Sequence, residues 1–154
     1  MIVGEAPGRI EDEKGRPFAG PSGVLLWREL ERVGIDKRSV FAANAVSCFP
    51  ARTPTEDEVY ACRGNLYTQA WICKPKFILA LGRTANSSLG NLDLALGRAT
   101  MGQICGQWYD LGWFKYDPCR VMPTYHPAAI LRNGKYMRAW RTDLRAFAEK
   151  AVSG

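Results

Sequence analysis

Short apolar runs alternate along this chain with segments of helical periodicity, and that alternation limits the fold more than any other feature. Ile2-Val3, Val40 to Ala43, Phe77 to Leu81 and Val121-Met122 are brief apolar stretches bounded by turn residues, the pattern of strands buried on both faces. Between them, Ser22 is placed to cap a helix with Leu26, Leu30 and Val33 on one face, ended by Gly34. Thr55 and Glu58 have the spacing of a capping box, opening a helix with Val59, Cys62 and Leu66 as its apolar stripe. A last helix is expected from near Lys135, burying Trp140, Leu144, Phe147 and Ala151. Strand and helix in alternation predict an α/β fold, a three-layer α/β/α sandwich around a mostly parallel, four-stranded central sheet.

The chain has 154 residues, 47% of them hydrophobic, which suits one domain over residues 1–154. No repeat or linker divides it, and Asn86 to Gln107, glycine-rich and weakly periodic, reads as a long loop. Lys and Arg outnumber Asp and Glu by 21 to 15, a net charge of +6 that favours a polyanionic partner without demanding one. No apolar run approaches the roughly 20 residues of a spanning helix, and no charged leader precedes an apolar stretch. The expectation is a cytoplasmic or nucleoid-associated protein with no membrane partner. Five cysteines, Cys48, Cys62, Cys73, Cys105 and Cys119, include no Cys-x-x-Cys pair, which argues against a secreted disulfide framework.

In an open parallel sheet, ligands bind beyond the carboxyl ends of the strands. Each distinctive motif here directly follows an expected strand: Gly4 the first, Asn44 the second, Gly82 the third and His126 the fourth. Asn44 offers a donor and an acceptor on one amide, suited to a nucleobase edge. Phe18 offers a stacking face, and His126, the only histidine, can donate a hydrogen bond to an oxygen gaining negative charge. Glu5, Glu11 and Asp12 supply carboxylates beside the first turn. Singly, each has a structural reading: Asn44 as a strand end, Phe18 as core, His126 as packing, and Glu11 with Asp12 as a solvated acidic turn. Their common position at strand ends favours a site.

The segments Gly4-Glu5-Ala6-Pro7-Gly8 with Glu11-Asp12, Gly15-Arg16-Pro17-Phe18 and Ser22 to Leu26 resemble the first motif of the family 4, iron-sulfur type, uracil-DNA glycosylases. Ala43 to Pro50 resembles their second motif, and Pro123 to Arg132 their third. The resemblance implies excision of uracil from single- or double-stranded DNA by a monomeric DNA repair enzyme that meets a replication or repair partner. It implies that Gly4, Glu5, Phe18, Asn44 and His126 bind uracil, and that Glu5, Glu11, Asn44 and His126 carry the chemistry. Glu5 is assigned to pocket contact and Glu11 to the attacking water, since Ala6 stands where the family 1 enzymes have an aspartate. Backbone amides of the Gly4 and Pro21-Ser22-Gly23 turns, basic side chains and the segment Ile130-Leu131-Arg132 are expected against DNA, the last as a wedge in the space of the flipped base. Arg138, Arg141 and Arg145 recur at helical spacing as a solvated face or a DNA contact.

Two departures from the family pattern bear on the cofactor. Family members hold a 4Fe-4S cluster through four cysteines, and Cys48 with Cys62 match the third and fourth, while the upstream Cys-x-x-Cys pair has no counterpart in this sequence. The expectation is a cluster-free protein, with a cluster only if the chain is an N-terminal truncation or if Cys73, Cys105 or Cys119 is recruited. The loop Pro50-Ala51-Arg52 is also shorter than the family's. An alternative follows from both: a catalytically weak glycosylase-fold protein that binds DNA or a partner.

Overall fold

A computed structural model describes residues 1–90, 99–113 and 119–153. The elements run β1 (Ile2–Gly4), α1 (Arg9–Lys14), α2 (Pro21–Arg32), β2 (Ala42–Asn44), α3 (Glu56–Cys73), β3 (Phe77–Leu81), α4 (Gly82–Ser88), α5 (Met101–Ile104), β4 (Tyr109–Leu111), β5 (Cys119–Thr124), α6 (Pro127–Arg132) and α7 (Met137–Ser153). The strands form a five-stranded sheet in the order β2-β1-β3-β5-β4. The first four are mutually parallel, and β4 pairs antiparallel with β5 at the edge.

The parallel strands are apolar throughout because successive side chains enter opposite helical layers. In β3, Leu79 and Leu81 join Ile2 and Met122 beneath α2 and α7, against Leu26, Leu30, Trp140, Leu144 and Phe147. Ile78 and Ala80 point the other way, with Val3, Ala43 and Val121, against Leu66 of α3 and Ala85 of α4. This is the expected three-layer sandwich. The sheet has a fifth strand where four were expected: Tyr109–Leu111 is three residues long and half solvent-facing, too short for a periodic signal.

Local chemistry explains most boundaries. The Thr55–Glu58 capping box forms, and Glu58 also accepts from Arg52 at 2.8 and 2.9 Å, tying the loop after Cys48 to the first turn of α3. Ser22 is not the cap expected of it: α2 starts at Pro21 with Gly20 as N-cap, because proline's fixed φ suits the first helical position, where its missing N–H would have no intrahelical partner. The last helix starts at Met137, after a short 3-10 turn over Gly134–Tyr136. The expected loop from Asn86 to Gln107 contains the end of α4 and all of α5, and its residues 91–98 lie outside the described residues.

Two buried acids tie α7 to the rest. Glu29 on α2, 2% exposed, accepts from Arg141 at 2.8 and 3.0 Å and from Arg32 at 2.8 Å, which holds its carboxyl below the usual range despite burial. Arg141 is therefore an internal tie between helices, so the arginine stripe of α7 is not uniformly a free face. Asp143 accepts from the Thr124 hydroxyl at 2.6 Å, directly behind the end of β5, and burial pushes its carboxyl up.

Candidate active site

Order 2-1-3 in the sheet means that the chain leaves β1 in one direction and later returns past it to β3, so a crevice opens between the carboxyl ends of β1 and β3. Gly4 closes β1 at that crevice. A Cβ on Gly4 would stand 2.5 Å from Asn44 Oδ1 and 2.7 Å from Phe18 Cζ. Glycine is required here because the amide of β2 and the ring of Phe18 both press on the backbone.

Phe18 is held in a costly conformation. Its φ is 53°, left-handed for a bulky side chain and worth about 1–3 kcal/mol of strain. Trp27 opposes that strain: its indole N–H donates to the Phe18 carbonyl at 3.2 Å, and its ring meets Phe18 edge-on at 6.1 Å. Gly23 lies directly beneath the same carbonyl, leaving no room for a side chain. Phe18 is 6% exposed, so it is core on one side and borders the Gly4–Asn44 contact on the other.

His126 reaches the crevice from the far end of the sequence. It is the N-cap of α6, and its Nδ1 accepts the Ala128 N–H at 3.1 Å. In the neutral ring the hydrogen must then sit on Nε2, which makes the imidazole a donor toward any ligand. Burial pushes the imidazole below its ordinary value, and Arg132 adds to that, while Glu5 and Glu11 oppose it. A depressed histidine pKa means that the folded state binds fewer protons. Its stability contribution is intact above about pH 6.5 and erodes as pH falls toward the folded value. The kcat/KM profile of any reaction that uses this group as a neutral donor is accordingly expected to be flat from neutral pH to about 6.5, with any acidic limb from it below that.

The two carboxylates are placed differently. The Glu5 Oε2 accepts the Thr84 hydroxyl at 2.7 Å, across the crevice. The Glu11 Oε1 accepts the Gly20 N–H at 2.7 Å, joining α1 to the start of α2. Glu11 also lines, with Pro7, Asp12, Asn44 and Ser47, a cavity of about 290 Å³ beside the first turn.

Of the residues expected from sequence, Phe18 and Asn44 both meet Gly4, and Glu5 and Glu11 lie close enough to His126 to act on its charge. Ser22 and Gly23 fall in the first turn of α2 after the exposed Pro21. Ile130 must be withdrawn from the wedge: it is 2% exposed and packs in the core, because α6 turns that face toward α2. Leu131, 54% exposed, and Arg132 remain on the surface. Sequence reasoning missed Thr84 and Trp27, and placed Gly82 after the third strand without giving it a role. Gly82, at φ 84°, makes the turn after β3 and would put a Cβ 3.1 Å from that of His126. Its position after a strand was the available signal.

A family model described as the uracil DNA glycosylase superfamily matches residues 1–147. The chain belongs to that superfamily, on its type-4 branch. It is 42% identical over 151 residues to a type-4 uracil-DNA glycosylase of Pyrobaculum aerophilum, covering 96% of this chain and 75% of that protein. It is 37% identical over 156 residues to one of Saccharolobus solfataricus, with 99% and 71% covered. Against that of Archaeoglobus fulgidus the identity is 36% over 153 residues, with 97% and 75% covered.

The cluster that family resemblance implies can be tested on the donor set. Cys48 is exposed in the loop after β2, and Cys62 is half-buried on α3. Burial pushes the thiols of Cys105 and Cys119 up to about 12 and about 11, away from the thiolate a metal needs. Among the described residues, no three His, Cys, Asp or Glu side chains are grouped to hold a metal ion. Among the described residues, these thiols do not make a four-thiolate site. No described helix is long and apolar enough to cross a membrane.

Proposed function

We propose that this chain is a uracil-DNA glycosylase that accepts a uracil flipped out of DNA and hydrolyses its N-glycosidic bond, leaving free uracil and an abasic site. The observation that carries the reading is the convergence at Gly4 of a strained aromatic ring and a side-chain amide. A planar base edge with adjacent donor and acceptor is the ligand such a pair fits. Phe18 stacks on the ring, and Asn44 pairs with its polar edge. Flipping costs roughly a few kcal/mol of unstacking, least for single-stranded or mispaired uracil.

Bond cleavage leaves positive charge on the sugar and negative charge on the departing base. His126, neutral and donating from Nε2, stabilises the base as an oxyanion site does. The Glu5 carboxylate faces the cationic sugar. Glu11, fixed by Gly20 and bordering the cavity beside Asn44, orients the attacking water. Water gives its oxygen to the sugar carbon, and its proton is left for the released base. Backbone amides of Ser22 and Gly23 bind phosphate at the first turn of α2, and Leu131 with Arg132 fills the space vacated by the base.

The working partner is uracil-containing DNA, which puts the enzyme with the genome in the cytoplasm. Incubation with single- and double-stranded uracil oligonucleotides, then alkali, is expected to cut the strand at each uracil. Intact strands, with salt-sensitive DNA binding retained, would instead favour a binding protein of glycosylase fold. Residues 1–154 alone are expected to purify without stoichiometric iron. A brown protein with about four irons per chain would show that other ligands complete the set begun by Cys48 and Cys62.

A further inference from the structure

The Thr84 hydroxyl spans the crevice at which the sheet order reverses. Glu5 follows β1 immediately, and its backbone is already fixed: its carbonyl accepts the Val46 N–H at 2.9 Å, and the Gly4 carbonyl accepts the Ala45 N–H at 2.9 Å. What remains free in Glu5 is the torsion of a long side chain. The Thr84 hydroxyl donates to Glu5 Oε2 at 2.7 Å and removes that freedom.

The donor itself is stiff. Threonine is β-branched and restricted at χ1 in a helix. The helix carrying it is braced at both ends. Asn86 Nδ2 donates to the Gly82 carbonyl at 2.7 Å, and Arg63 of α3 donates to the carbonyls of Ser87 and Ser88 at 2.8 and 3.0 Å. At the start of the same turn, Gly82 abuts His126. Two residues of one turn, Thr84 and Gly82, therefore reach Glu5, from the start of the chain, and His126, from near its end.

We infer that Thr84 is a positioning residue: held by α4, its hydroxyl orients the Glu5 carboxylate and leaves the second oxygen to the sugar side of the pocket. This rests on the role proposed for Glu5 and adds to it the group that sets its geometry. Thr84→Val keeps the shape and deletes the donor, while Thr84→Ser keeps the donor.

Single-turnover and steady-state uracil release should show Thr84→Val lowering kcat by roughly tenfold with KM within about twofold, as expected when a hydrogen bond to a charged group is lost from the reacting geometry. Thr84→Ser should recover most of the rate. Thr84→Ala repeats the deletion without β-branching, so a drop in Tm peculiar to valine does not decide the result. Glu5→Gln separates the two readings. If Glu5→Gln is slow while Thr84→Val and Thr84→Ala match the wild type, Thr84 has no positioning role. If Glu5→Gln itself keeps the wild-type rate, the role of Glu5 is what fails. The double variant should be no slower than Glu5→Gln alone, since the hydroxyl acts through that carboxylate.

Discussion

Replacing His126 with alanine is expected to slow uracil release by about 10²–10³ in kcat while DNA binding stays within about twofold. The effect rests on one hydrogen bond. With Nδ1 accepting from Ala128, the neutral ring can only donate from Nε2, and burial keeps it neutral at pH 7. A donor fixed before the reaction begins costs no reorganisation as charge grows on the leaving base, and such donors act mainly in the transition state. The loss should therefore appear in kcat rather than KM. His126 also caps α6, so part of the alanine effect is structural, of order 1 kcal/mol. His126→Asn separates the two effects, since asparagine is a competent cap. The expected result is recovery of Tm without recovery of kcat, measured by thermal melting beside single-turnover release.

Asn44→Ala is expected to reduce uracil release by about two orders of magnitude, again with little change in DNA affinity. A site built to pair with polar groups discriminates strongly because removing one partner leaves the other unpaired. Asn44 ends β2 in parallel register with Gly4 on β1, so its backbone is set by the sheet. Its amide oxygen lies against Gly4, and the Phe18 ring lies against the same glycine. The variant should thus leave the fold intact and open a gap at the base edge. Gel-shift affinity on an abasic oligonucleotide, beside the release rate on a uracil one, checks this. A parallel fall in both would mean that Asn44 serves the DNA grip rather than the base.

The strand ends and the three motifs were legible in the sequence because each follows an apolar run that only a doubly covered strand explains. Other features were not legible, for reasons of scale. Strand β4 is three residues at an edge, below any periodicity. Ile130 sits in a six-residue helix, where one turn of phase decides between core and surface and the pattern Ile-Leu-Arg does not fix it. Phe18 reads as core or as a stacking face, and it is both, since its left-handed backbone is imposed by Trp27 and Gly23 rather than by its own propensity. Thr84 bonds a carboxylate 79 positions away, a separation that no local pattern reveals.

A neutral His126 facing bound uracil is the centre of the proposed chemistry, and the chain's single histidine makes that directly observable. Nitrogen-15 NMR of uniformly labelled protein at pH 7 should show Nδ1 unprotonated and Nε2 protonated, and the Nε2–H signal should move as uracil is titrated in. A protonated Nδ1, or an Nε2 signal indifferent to uracil while Phe18 or Asn44 signals respond, would contradict it.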